Sequence, residues 1–202
     1  MRLWLVRHGS TKGNARHAYV GRSSDEALSD EGRAQAAAVG FLPQVKRVYV
    51  SPLLRARQTA ELCLPDAVQL VVAGLEEMDF GAFEGKSAAD LQDDADYRQW
   101  VDGWCTGRCP GGEDREAFVA RTVSALEHVL ASAREAGEQD VVVLAHGGTV
   151  MAALSVLASD LSQEDGYFEW QLGCCEAYAC DLLWEGARSR VARMSRFPST
   201  NL

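Results

Sequence analysis

Apolar residues follow two rhythms along this chain. Leu3 to Val6, Val48 to Val50, Val68 to Val72 and Val141 to Ala145 are short apolar-rich runs, the pattern of strands buried on both faces. Other stretches have helical spacing. Ser29 is placed to cap a helix running to about Leu42, with Ala34, Ala37, Ala38, Phe41 and Leu42 as its apolar stripe. Ser51 and Pro52 read as the cap and first residue of a helix ending near Cys63. From Glu113 to Ala136, Phe118, Val119, Thr122, Val123, Leu126, Val129 and Leu130 recur at helical intervals, and another helix follows from about Thr149 to Ala158. Ala177 to Trp184 and Arg190 to Met194 read as closing strands. This alternation predicts an α/β fold with a mostly parallel sheet flanked by helices, and such sheets bind ligands beyond the carboxyl ends of their strands. Two of these strands end in a histidine.

The chain has 202 residues, enough for a single domain, with no repeat or linker. Its composition, 47% hydrophobic and 24% charged, is that of a globular protein. A net charge of −9 argues against a general nucleic-acid or membrane-surface binder. The charge is uneven, however: residues 1–57 carry +6 and residues 58–202 carry −15. No run approaches the ~18 apolar residues of a membrane span, and the N-terminal apolar stretch is too short for a signal peptide, so a cytoplasmic protein is expected. The six cysteines lack paired spacing and read as free thiols packed among apolar neighbours; a zinc site built from Cys105, Cys109 and a distant histidine is the less favoured alternative.

Four segments carry candidate chemistry. Arg7-His8-Gly9-Ser10-Thr11, with Asn14 beyond, places a histidine and a planar donor fork at a strand end. Ala145-His146-Gly147-Gly148 does the same at another strand, where a helix start offers uncovered N–H groups to an anion, although a tight turn would also account for the glycines. In the Ser51 to Ala60 segment, Arg55 and Arg57 diverge by ~200° on a helix, so Arg55 can face a ligand while Arg57 lies on the surface. Finally, Glu76-Glu77-Met78-Asp79-Phe80-Gly81 sets carboxylates among apolar residues, an environment that raises a carboxyl pKa and suits general-acid work.

Together these segments resemble the histidine phosphatase superfamily, the phosphoglycerate mutase-like family, and the resemblance covers essentially the whole chain. It implies a three-layer α/β sandwich, one domain over residues 1–202, with a small helical insertion at about 85–113 covering the active site. It also implies phosphoryl transfer through a phosphohistidine: His8 as nucleophile, with Arg7, Arg55 and His146 stabilising the phosphate, helped by Asn14 and the amide of Gly147. Glu77 would be the general acid and base, chosen over Glu76 and Asp79 by its spacing to Gly81. Ser10 stands where the family usually has a glutamate. No metal and no cofactor is expected, and the partner would be a small phosphorylated metabolite rather than nucleic acid or membrane, with a homodimer left open.

The start of the chain, the Glu77 to Gly85 segment and the Tyr97 to Phe118 stretch are also similar to bacterial α-ribazole phosphatases. In that setting Trp100 and Trp104, four apart and so on one helical face, could stack on an aromatic leaving group, or simply pack the insertion. His17 and Arg22 are further candidates for substrate contact, and His128 reads as a surface residue. A broad-specificity phosphatase, a phosphoglycerate mutase and a non-catalytic phospho-ligand binder are the competing readings.

Overall fold

The computed structural model describes residues 1–162, 166–186 and 188–198. A six-stranded sheet has β1 (Arg2–Arg7), β2 (Arg47–Val50), β3 (Val68–Val71), β4 (Asp140–Ala145), β5 (Ala177–Glu185) and β6 (Arg188–Phe197) in the order β3-β2-β4-β1-β5-β6. The first four positions are parallel, and β5 and β6 are antiparallel to their neighbours. The helices are α1 (Lys12–Ala15), α2 (Asp30–Ala37), α3 (Leu54–Cys63), α4 (Ala95–Asp102), α5 (Arg115–Glu135) and α6 (Gly147–Leu157).

Alternate strand residues enter two cores, because successive side chains of a strand point to opposite faces. Leu3, Leu5, Val141 and Val143 pack with Leu126, Leu130 and Val129 of α5 and with Val150 and Leu154 of α6. Trp4, Val6, Val48, Val50, Val142 and Leu144 pack with Ala56 and Ala60 of α3 on the other side. The expected three layers are thus present, and the two central strands are apolar from Leu3 to Val6 and from Val141 to Ala145 because both faces are covered there.

Three local expectations are corrected. Helix α2 is capped by Ser29, whose hydroxyl accepts from the Gly32 amide at 3.0 Å, but it ends at Ala37. Its buried face is Gly32 and Ala36, while Ala34, Ala37 and Ala38 are exposed. The phase is set by contact with the loop after β1: a β-carbon on Gly32 would lie 2.0 Å from the Ser10 carbonyl oxygen. Helix α3 begins at Leu54, not Pro52; the Ser51 hydroxyl accepts from the Leu53 amide at 3.3 Å, ahead of the helix, and also bonds to His146. Helix α4 stops at Asp102, so Trp104 lies outside it, at φ 57° and 75% exposed, and shares no helical face with the buried Trp100.

The segment expected as an insertion carries α4 and packs Leu91, Tyr97, Trp100 and Cys109 against Met78, Phe83 and Phe118. All six cysteines are free, and Cys109, Cys175 and Cys180 are buried. Among the described residues no group of three or more metal-ligating side chains converges, Cys105 and Cys109 included.

Candidate active site

Sheet register assembles the centre. Arg7 of β1 pairs with Ala145 of β4, so the next residues, His8 and His146, leave the sheet side by side. The His8 amide donates to the Ala145 carbonyl at 3.1 Å, and the two imidazoles meet edge to face with centroids 5.1 Å apart. On the neighbouring strand Val50 pairs with Leu144, which brings Ser51 beside His146.

Hydrogen bonds assign a tautomer to each ring. His8 Nδ1 lies 2.6 Å from the Gly9 carbonyl oxygen, an acceptor only, so Nδ1 carries the proton and Nε2 a lone pair. Arg55 Nε donates to that lone pair at 3.2 Å and to His146 Nδ1 at 3.2 Å. His146 therefore carries its proton on Nε2 and donates it to Ser51 Oγ at 2.7 Å. Both imidazoles are buried, and burial, then the Arg55 charge, holds their pKa values well below 6.5. They stay neutral at physiological pH, as a nucleophile requires.

Arg55 is fully buried, with its terminal nitrogens donating to the carbonyls of Ser24, Val20 and Gly21. Only its Nε faces the histidines. Arg57 is exposed. Arg7 is anchored by one nitrogen, which donates to the Leu172 carbonyl at 2.5 Å, while its Nε is buried with no partner among the described residues. A buried donor without an acceptor costs roughly 1–3 kcal/mol unless a ligand supplies one. Arg7 lines a cavity of about 210 Å³ together with Asn14, Glu77, Gly147 and Gly148. Here helix α6 begins, so the Gly147 amide offers an anion the favourable end of the helix dipole, while the Gly148 amide donates to Glu77. Asn14 accepts from the Thr11 amide and hydroxyl through Oδ1, which leaves its side-chain nitrogen as a donor.

Of the three carboxylates weighed in the sequence, only Glu77 lines the cavity. Its oxygens accept from the amides of Met78 at 2.9 Å and Gly148 at 2.8 Å. Burial raises its pKa above 4.5, opposed by those two amides and by Arg55 and Arg7. Glu76 instead accepts from the Gly74 amide, and Asp79 from the Gly81 amide and the Ser23 hydroxyl. A residue the sequence did not single out holds this segment in place. Arg121 of α5 donates to the carbonyls of Gly74, Glu76 and Glu77, and it pairs with Glu76 and Glu113. Nothing in the amphipathic pattern of α5 distinguishes it from a solvent-facing arginine.

A second cavity, about 190 Å³, adjoins Glu77 and Gly148 and is lined mainly by apolar and aromatic side chains, among them Tyr19, Phe80, Trp100, Phe118 and Met151. Trp100 lines this cavity while its indole N–H donates to the Gly107 carbonyl at 3.1 Å. Trp104 and Arg22 line neither cavity. Arg22 is exposed and lies near Glu113, whose carboxyl pKa is lowered, against its burial, chiefly by Arg121 and the Asp79 amide. His17 and His128 are exposed as well. Ser10 is buried, its amide donating to Gln35.

A neutral histidine whose unprotonated Nε2 meets the Nε–H of an arginine, an anion pocket nearby and a buried carboxyl at the pocket's edge define a phosphoryl-transfer enzyme on an α/β sheet. The pattern of the histidine phosphatase superfamily (branch 1) matches residues 3–195, and the chain belongs to that superfamily. It is a phosphatase. It is 31% identical to the adenosylcobalamin/α-ribazole phosphatase of Salmonella typhimurium, over 89% of this chain and 93% of that one. The solved α-ribazole phosphatase of Shigella flexneri superposes with a TM-score of 0.76 at 25% identity, covering 95% of this chain and 94% of that one. A phosphoglycerate mutase structure from Thermus thermophilus does so with a TM-score of 0.70 at 34% identity, covering 96% and 98%. Among the described residues no helix is long and apolar enough to cross a membrane.

Proposed function

We propose that this protein hydrolyses α-ribazole 5′-phosphate, or a phosphomonoester closely like it, through a phosphohistidine on His8. The observation that carries the chemistry is the His8 Nδ1–H bond to Gly9, which leaves the lone pair on Nε2, where it meets the Arg55 Nε–H, while Arg7 Nε is buried without a partner among the described residues. Phosphate oxygens would take the Arg7 Nε, the Gly147 amide, the Asn14 side-chain nitrogen and Arg55 Nε as donors. His8 Nε2 forms the bond to phosphorus as the ester P–O bond breaks, and Glu77 gives its proton to the departing alkoxide. Glu77, now a carboxylate, takes a proton from water, whose oxygen attacks phosphorus. The P–N bond breaks and its electron pair returns to His8. The dianion raises the proton affinity of neighbouring His146, so that Nδ1 can gain a proton and become a donor.

The α-ribazole assignment is supported by the aromatic cavity beyond Glu77 and by the names of the relatives. Residues 85–113 would act as the cover of that cavity, with Trp100 against the base. Such an enzyme acts on a small phosphorylated metabolite in the cytoplasm, and a homodimer is compatible with it. The test is competition among α-ribazole 5′-phosphate, 3-phosphoglycerate and 4-nitrophenyl phosphate, with acid-stable and acid-labile label on the protein followed. The expected result is the highest kcat/KM for α-ribazole 5′-phosphate and acid-labile label absent from His8→Ala. A rate for it no better than for 4-nitrophenyl phosphate ends the substrate assignment, and full activity of His8→Ala ends the mechanism.

A further inference from the structure

Arg115 is the first residue of α5, where a cation opposes the helix dipole. Among the described residues no carboxylate forms an ion pair with it. Its guanidinium lies over the ring of Tyr167, 4.8 Å from the centroid, and 5.8 Å from that of Phe168. One terminal nitrogen donates to the Trp104 carbonyl at 3.2 Å. This half-buried side chain lines the aromatic cavity beyond Glu77 and is the one cationic group among its lining residues. It also lines the open groove outside, so it stands where a ligand passes from one to the other.

A guanidinium has five N–H donors in a fixed plane, and stacking against a ring leaves the in-plane edges directed outward. Here the guanidinium rests over Tyr167, one terminal nitrogen is used on the Trp104 carbonyl, and the side chain lines a cavity whose other walls are mainly apolar. The occupant implied is flat and aromatic, with an acceptor at its edge. A second anion is disfavoured, since the cavity's other walls are mainly apolar and Glu116 lines the groove outside.

We propose that Arg115 reads the leaving group, donating to an in-ring nitrogen of a heteroaromatic base that sits between it and Trp100. This rests on the leaving-group cavity assigned above. The test is a matched pair of substrates, α-ribazole 5′-phosphate and its indole analogue, in which a C–H replaces the acceptor nitrogen at nearly unchanged size. The wild type is expected to favour the benzimidazole by about tenfold or more in kcat/KM, the scale of one charge-assisted hydrogen bond. Arg115→Met, which keeps an unbranched stem against Tyr167 but has no donor, is expected to bring the ratio to about one, and Arg115→Lys to leave it intermediate. Because the readout is a ratio within one variant, a general loss of activity does not imitate it. Equal rates for both compounds with the wild type, or an unchanged ratio in Arg115→Met, overturn the role of Arg115 alone. Hydrolysis of neither compound by the wild type overturns the substrate reading and this role with it.

Discussion

Replacing Gly148 by alanine adds one carbon at the most crowded point of the centre. That carbon would lie 2.1 Å from Glu77 Oε1, 2.9 Å from the carboxyl carbon and 3.1 Å from Oε2. For the nearest oxygen to reach the 3.4 Å of ordinary contact it must withdraw by about 1.3 Å. The helix is anchored in the sheet, so the side chain of Glu77 moves, and its bonds to the Gly148 and Met78 amides are disrupted. A misplacement of about 1 Å can cost about 10²-fold in rate, within the range general acids contribute. The fold should be unharmed, since alanine exceeds glycine in helix propensity by up to about 1 kcal/mol. The assay is kcat/KM for an alkyl phosphate and for 4-nitrophenyl phosphate, whose leaving group departs without a proton. The alkyl ester should lose about 10²-fold and the nitrophenyl ester far less, with Tm unchanged or raised. Equal losses for both, or an alkyl rate within threefold of wild type, would refute Glu77 as the acid held by this amide.

The remaining expectations concern pH and packing. His8 and His146 have folded-state pKa values well below their ordinary 6.5, so the folded state binds fewer protons. Their contribution to stability is complete above pH 6.5 and falls as pH drops below it. Urea midpoints should therefore decrease from pH 7.5 to 5.5, and a His8→Asn, His146→Asn double variant should flatten the slope; an equally steep slope in that variant would remove the histidines as its source. For the same reason kcat/KM should hold its value somewhat below pH 6.5, and an acid limb centred at or above 6.5 would contradict the neutral nucleophile. Gly32→Ala meets backbone rather than a movable side chain, 2.0 Å from the Ser10 carbonyl oxygen. A loss of about 1–3 kcal/mol in urea unfolding is expected despite the better helix propensity of alanine, and a variant as stable as the wild type would show that α2 can shift away.

Much of this is legible in the sequence alone. The strands before His8 and His146 announce themselves as apolar runs because both faces of a central parallel strand are covered. The Ser29 cap is legible because a side chain satisfying its own helix's amides is a local matter. At Ser51 the same reasoning misplaced the helix start by two residues, since the hydroxyl takes the Leu53 amide ahead of the helix and also serves His146 from another strand. It failed for α2, where contact with Ser10, and not the alanine pattern, chose the buried face. Trp104 looked equivalent to Trp100 only on the assumption that the helix continued past Gly103.

What the sequence determined by itself was therefore the order of elements and the residue types at strand ends, since these follow from local periodicity, capping and a motif set in series. The tertiary structure decided the protonation chemistry. Which nitrogen of His146 carries a lone pair, how the pKa values shift and which of three carboxylates faces the pocket depend on partners far away in the chain: Gly148 for Glu77, Arg55 and Ser51 for His146, Arg121 for the loop bearing Glu77. Hydrogen bonds and desolvation act over ångströms in space, and only the register of β1, β2 and β4 brings those groups within that range.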